Sequence, residues 1–267
     1  NILSNTKMRK TTPATFGDNV LDFQLPDCWE KLTQEQLRYV CYAMSRFPGL
    51  QAKTYIFIRL LAIRIYRKVA DGWVCAVKLE NGRKVRFFLW NYQIQCFLKA
   101  LDFLDAPATS PVCLPRIGEL WAVHVLLRGV PFHDYIRIEN HYQGYLQTND
   151  IRQLRSMAKI LYVDKNGNHP EDVHFSEGEL LSVFLWYASL KNRFAVSFPH
   201  FFGKAGENVI AEPPNMVEVM NAEIRALTGG DITKENQVLS MDCWRALTEL
   251  NEKARETQEY NEKYGHN

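Results

Sequence analysis

The sequence predicts a mainly α fold of the α+β class: a helical body that carries one β-hairpin at about 73–90. Three observations predict it. Two capping boxes open apolar segments, several stretches place apolar residues at helical spacing, and two Val- and Phe-rich runs flank Asn81-Gly82.

Composition sets the bounds. The 267 residues are 46% hydrophobic and 23% charged, which excludes disorder for the bulk of the chain. A chain of this size buries roughly 73% of its extended surface on folding, enough for a large core. The net charge of +2 excludes binding to nucleic acid by bulk charge alone and leaves a local patch open.

The elements follow in order. Residues 1–20 are polar and read as a mobile arm or an extended lead-in. Thr33-Gln34-Glu35-Gln36 is a capping box, so a helix should run to about Phe47 and stop at Pro48-Gly49. Lys53–Val69 is apolar nearly all round. Its length favours a buried helix, and its β-branched content leaves a strand open. Trp73–Glu80 and Arg83–Trp90 then form the hairpin, with Asn81-Gly82 as a type I′ turn. Cys75, Val77 and Leu79 should share one face, with Val85, Phe87 and Leu89 alternating on the partner strand.

Asn91–Leu104 reads as a helix. Residues 106–115 hold three prolines and no charge up to Pro115, and mark the internal joint. Residues 116–131 are open between strand and helix. Asp134–Gln147 and Asp150–Val163 read as two helices joined at Thr148-Asn149, followed by a loop over 164–170. Ser176-Glu177-Gly178-Glu179 is the second capping box and opens a helix to Ser197. A polar loop at 203–215 precedes a helix over 215–227, closed by Gly229-Gly230. The expected organisation is thus an arm at 1–20, a body at 21–230 and a C-terminal helical segment at 231–267.

Chemistry-bearing motifs are sparse. The six cysteines show no C-x-x-C spacing and read as free structural thiols in a reducing compartment, Cys41 and Cys96 as small hydrophobes within helices. The histidines lie on separate elements, and neither His133/His141 nor His169/His174 has the spacing of a helical metal site. No nucleophile elbow, phosphate loop or dinucleotide fingerprint occurs. Asp134 and Glu139 stand five apart and read as solvated residues. The expectation is a non-enzymatic chain with no catalytic residue, cofactor or metal. The N-terminal residues carry no signal-peptide pattern, and the longest strongly apolar run, Leu180–Leu190, is too short for a membrane span.

Two surfaces remain. Arg59, Arg64, Arg67 and Lys68, with Lys78, Arg83, Lys84 and Arg86 on the hairpin, concentrate positive charge beside aromatics. The combination suits nucleic acid, with Arg64, Lys68, Arg83, Lys84 and Arg86 as candidate contacts, and also solubilises an exposed hairpin. Trp244, Leu247, Leu250 and Ala254 form a stripe at helical spacing that continues through Tyr260 and Tyr264. It reads as a helix that is buried early and then either frays in solvent or docks on another chain.

The stretches 22–40 (DFQLPDCWEKLTQEQLRYV), 140–150, 184–202 and 224–260 resemble uncharacterised proteins of tailed phages and prophages encoded among tail genes. That resemblance implies a role in tail or virion assembly, as a chaperone or minor structural component. The chain would act in the host cytoplasm or in the virion. Its partner would be another phage tail or virion protein, met through Trp244, Leu247, Leu250, Tyr260 and Tyr264. The other reading is a nucleic-acid-associated accessory protein that uses the basic strip. Neither reading involves a membrane.

Overall fold

The computed structural model describes residues 12–16, 19–79, 81–203 and 216–264. The protein is 60% helical among them, with ten helices, two small three-stranded antiparallel sheets and a two-stranded hairpin. It divides into two compact units, Asn1–Ala106 and Pro107–Asn267. The division falls inside the proline-rich stretch at 106–115. That stretch is the joint expected within 21–230, and residues 231–267 fall in the second unit. Of the expected arm, residues 1–11, 17 and 18 lie outside the described residues. Thr12–Phe16 (β1) pairs antiparallel with Asn19–Phe23 (β2), the extended alternative.

In the first unit, Thr33 opens α1 (Gln34–Arg46). Its Oγ1 accepts the Gln36 N–H at 3.2 Å, and Gln36 Oε1 accepts the Thr33 N–H at 2.8 Å. These two bonds satisfy amides that a helix start leaves without intrahelical partners. α2 (Gly49–Leu60) begins earlier than expected and ends nine residues short of Val69. Ala62 takes a left-handed φ of 50°, and Arg64–Val69 emerges as strand β3. Arg64, Arg67 and Lys68 break the all-round apolar pattern there, so a helix would have had no buried face to gain. The β3 backbone instead bonds to β4 (Gly72–Lys78), which pairs with β5 (Lys84–Trp90).

The hairpin turn differs from expectation by one residue of register. Lys78 pairs with Lys84, Leu79 donates its N–H to Arg83 O at 2.9 Å, and Gly82 donates to Leu79 O at 2.9 Å. Gly82 has a φ of 81°, while Asn81 stays out of the left-handed region a type I′ turn requires. The apolar pattern explains the choice. This register puts Cys75 opposite Phe87 and Val77 opposite Val85, keeping one apolar face intact, whereas a one-residue slip would mix the faces. Gly72 is demanded by sterics, since a Cβ there would stand 2.0 Å from Leu89 O. α3 (Asn91–Ala100) follows, and Phe23, Phe57, Phe87 and Phe97 pack into one aromatic core. The buried Trp29 indole N–H is shared by the carbonyls of Phe103 and Ala106 at 3.1 and 2.8 Å.

In the second unit, residues 116–131 resolve into β6 (Arg116–Ile117), β7 (Leu120–Ala122) and turns. β7 pairs with β8 (Tyr162–Val163). α4 (Phe132–Thr148) and α5 (Ile151–Leu161) form a helical hairpin across Asn149, whose φ is 53°. Ser176 and Glu179 close the capping box of α6 (Glu177–Ser197). α7 (Pro199–Phe202), α8 (Met216–Thr228), α9 (Glu235–Leu239) and α10 (Cys243–Tyr264) complete the unit. Tyr135, Trp186, Tyr187, Leu190, Phe194 and Leu247 form its buried centre. Among the described residues no helix is long and apolar enough to cross a membrane.

Candidate functional site

The basic strip becomes one surface because its residues lie on a sheet. Arg64, Ala76 and Arg86 stand in one cross-strand row, and Arg67, Val74 and Phe88 in the next. Side chains on a strand alternate between faces, so Lys78, Lys84 and Trp90 share the same outer face. The register shifts between Ile65 and Arg67, leaving Tyr66 as the extra residue of a bulge. Its exposed ring lies between two guanidinium groups, with Arg64 Cζ 5.4 Å and Arg86 Cζ 5.2 Å from the ring centroid. Ala76 beneath them is buried although it belongs to the outer face. Phe88 and Trp90 extend the aromatic surface, their centroids 4.7 Å apart.

The electrostatics of this face are one-sided. Residues 64–90 hold seven Lys and Arg against two Asp and Glu, a local +5 in a chain whose total is +2. Arg64, Arg67, Lys78, Lys84 and Arg86 make no ion pair with any described residue. Lys78 stands directly opposite Lys84, an arrangement that costs roughly 0.2–1 kcal/mol in a sheet. The face thus carries one sign of charge, with exposed rings among its cations.

Of the five basic residues expected from the sequence, Arg64, Lys84 and Arg86 come together here. Lys68 does not: past the bulge it pairs with Trp73 on the opposite face, its Nζ 4.8 Å from the Trp73 ring. Arg83 lies in the turn at the end of the sheet. Arg67 and Lys78 of the wider strip lie on the same face, and Tyr66, which sequence reasoning did not single out, joins them. Strict alternation from Arg64 would put Tyr66 and Lys68 on its face and Arg67 on the other; the bulge brings Arg67 to the outer face and turns Lys68 away.

The terminal helix is corrected in its first half. Leu247 and Leu250 are 0% and 3% exposed. Trp244 packs on Phe194 and Phe198, lies under the Arg128 guanidinium at 4.2 Å and donates its indole N–H to Leu126 O. Leu247 and Leu250 belong to the core of the second unit, and Trp244 is half-buried against it. Tyr260 and Tyr264, 65% and 57% exposed, pair with each other at 4.9 Å. Arg255 on the same helix pairs with Glu252 and Glu259.

Asp134 and Glu139 are buried, against their expected solvation. Asp134 lies 3.3 Å from Arg137 Nη1, 3.3 Å from His133 Nε2 and 3.4 Å from His169 Nε2. It ties the loop after β8 to the start of α4. Glu139 accepts hydrogen bonds from Tyr187 Oη at 2.7 Å, Lys191 Nζ at 2.8 Å and Gln143 Nε2 at 2.8 Å. Nothing in local spacing pairs residues 139, 187 and 191; the packing of α6 on α4 does.

Among the described residues no group of three or more His, Cys, Asp or Glu is placed to hold a metal ion. Cys41, Cys75 and Cys243 are buried and Cys96 is exposed, so Cys96 is not the internal hydrophobe its surroundings suggested. Burial pushes the Cys41 thiol up to about 12 and that of Cys75 to about 11, which keeps both protonated and unreactive.

No protein-family model matches the chain, and neither the curated proteins nor the solved structures compared with it give a match.

Proposed function

We propose that this protein acts by binding, without catalysis, and that the outer face of the β3–β4–β5 sheet takes single-stranded nucleic acid. The observation that carries the reading is Tyr66 set between Arg64 and Arg86 on a face of five cations with no acidic partner among the described residues. Cations neutralise phosphates while exposed rings stack on unpaired bases, and base stacking contributes about 1–3 kcal/mol per base. A duplex hides its base faces, which leaves it only the phosphate contacts.

The test is fluorescence anisotropy with labelled dT homopolymer and a duplex of the same length at low salt. The single strand should bind more tightly, and Arg64→Gln with Arg86→Gln should remove most of that binding. Equal affinity for the duplex, or none for either, contradicts the reading.

The second reading is tail or virion assembly through contact with another phage tail or virion protein. Exposed Tyr260 and Tyr264 on the last turns of α10 favour it. Its contact surface centres on those turns, because Leu247 and Leu250 are buried and Trp244 is half-buried against Phe194 and Phe198. Removing residues 259–267 should then lower capture of a tail protein that the full chain retains. Unchanged capture contradicts this reading.

A further inference from the structure

A separate cleft opens in the second unit, among α4, α6, α7, α8 and α10. Its volume is about 800 Å³, within the span of small-molecule sites. Phe201, Phe202, Val219, Ala226, Leu250 and Ala254 supply most of its wall. Two carboxylates reach it in very different states. Glu139 is saturated by Tyr187, Lys191 and Gln143, and the Lys191 ammonium matches its charge. Glu223, half-buried on α8, makes no hydrogen bond or ion pair with any described residue. Lys253 also lines the cleft, but its side chain is exposed and lies beyond ion-pair distance of Glu223.

A carboxylate in an apolar cleft without a counter-charge is unfavourable, and it either takes up a proton or acquires a cation. Glu139 and Tyr135 on α4, Lys191 on α6, and Cys243 and Lys253 on α10 are the ionisable groups facing it. Burial, and then the negative charge of Glu139, push the Glu223 carboxyl up to about 7, with Lys191 opposing. No other carboxylate shares the position, so a single ammonium fits better than a multivalent metal ion.

We propose that this cleft binds a small apolar molecule bearing one protonated amine, with the ammonium on Glu223 and the apolar part against Phe202, Val219 and Leu250. An alkyl chain gains burial along that wall, and the ion pair inside a desolvated cleft is stronger than on an open surface. The assignment is independent of the nucleic-acid reading, which concerns the first unit.

Isothermal titration calorimetry of the full chain with octylamine, octanol and octanoate tests it. At about pH 8, where Glu223 is ionised, octylamine should bind more tightly than either analogue. Glu223→Gln should weaken octylamine by about tenfold or more and leave octanol unchanged. At about pH 6 the octylamine affinity of the parent protein should fall towards that of the variant. Ala222→Phe, a change at an exposed position on the cleft lining, should weaken all three ligands. Octanoate binding as well as octylamine, or octylamine affinity unaffected by Glu223→Gln in a variant at least as stable as the parent protein, overturns the proposal. So does the absence of octylamine binding at the higher pH. Oligonucleotide affinity should not respond to either substitution.

Discussion

Arg86 on β5 holds its guanidinium carbon 5.2 Å from the ring centroid of Tyr66 on β3, two strands away. The intervening residue on β4 is Ala76, whose small side chain lets the two long groups meet above it. Arg64 approaches the same ring from its own strand at 5.4 Å. A cation over an aromatic face is worth about 0.5–1 kcal/mol at an exposed site, so the cluster is modestly self-stabilised and keeps its charge. Tyr66→Ala should therefore lower single-strand affinity by about tenfold or more while changing the thermal midpoint little. Tyr66→Phe should retain affinity. Anisotropy and thermal melting of the same samples separate the two effects.

Gly72 fixes the start of β4. Gly72→Ala forces a Cβ into Leu89 O and the Phe88 ring, so the β4–β5 ladder must open at that end. The expected cost exceeds about 2 kcal/mol, since strain at a backbone position of this kind is among the few causes of large single-site losses. Urea denaturation followed by near-ultraviolet circular dichroism reports it. A midpoint equal to that of the parent chain would contradict the register described for this sheet.

The two halves of α10 should respond differently to truncation. Removing residues 259–267 takes away, among the described residues, exposed side chains and one solvent-screened surface ion pair, and should cost little stability. Removing residues 249–267 also deletes buried Leu250 and Asn251. The Asn251 side chain accepts the His200 N–H at 2.9 Å and that of Phe201 at 3.3 Å. Loss of the leucine alone resembles a large-to-small core change of about 2–5 kcal/mol. Thermal unfolding should show the shorter deletion near the parent midpoint and the longer one well below it.

Glu223 gives the second unit a pH dependence of defined sign. Its folded value is raised to about 7 from an ordinary 4.5, so the folded state holds a proton that the unfolded state has released. Stability on this account is complete below about pH 4.5 and declines as pH rises towards 7. Glu223→Gln should match the parent protein at low pH and exceed it above about pH 7, by no more than about 3 kcal/mol. Chemical denaturation across that range checks the crossover.

Much of the fold is legible in the chain, because its signals are local. Thr33-Gln36 and Ser176-Glu179 cap their helices, and the alternation around Cys75 and Phe87 draws the sheet. What local pattern does not reveal is fixed by tertiary contacts. β3 becomes a strand because β4 is there to pair with it, although Lys53–Val69 alone reads as one helix. The bulge at Tyr66 then moves Lys68 off the face that Arg64 and Arg86 share. The cleft is the least visible feature. Glu139 and Glu223 look like solvated helix residues until α6 and α8 pack beside α4. The α10 stripe could be read with its taper: large aliphatics stop at Leu250, and the buried face gives way to exposed Tyr260 and Tyr264.

The salt dependence of single-strand binding tests the basic sheet face most directly. Each phosphate neutralised by a cation contributes about 0.7 to the slope of log affinity against log salt concentration. With dT homopolymer, the Arg64→Gln, Arg86→Gln double variant should lose affinity at low salt and show a slope shallower by about 1.4. A parent protein that fails to bind at low salt, or a double variant with the parent slope, would contradict the account.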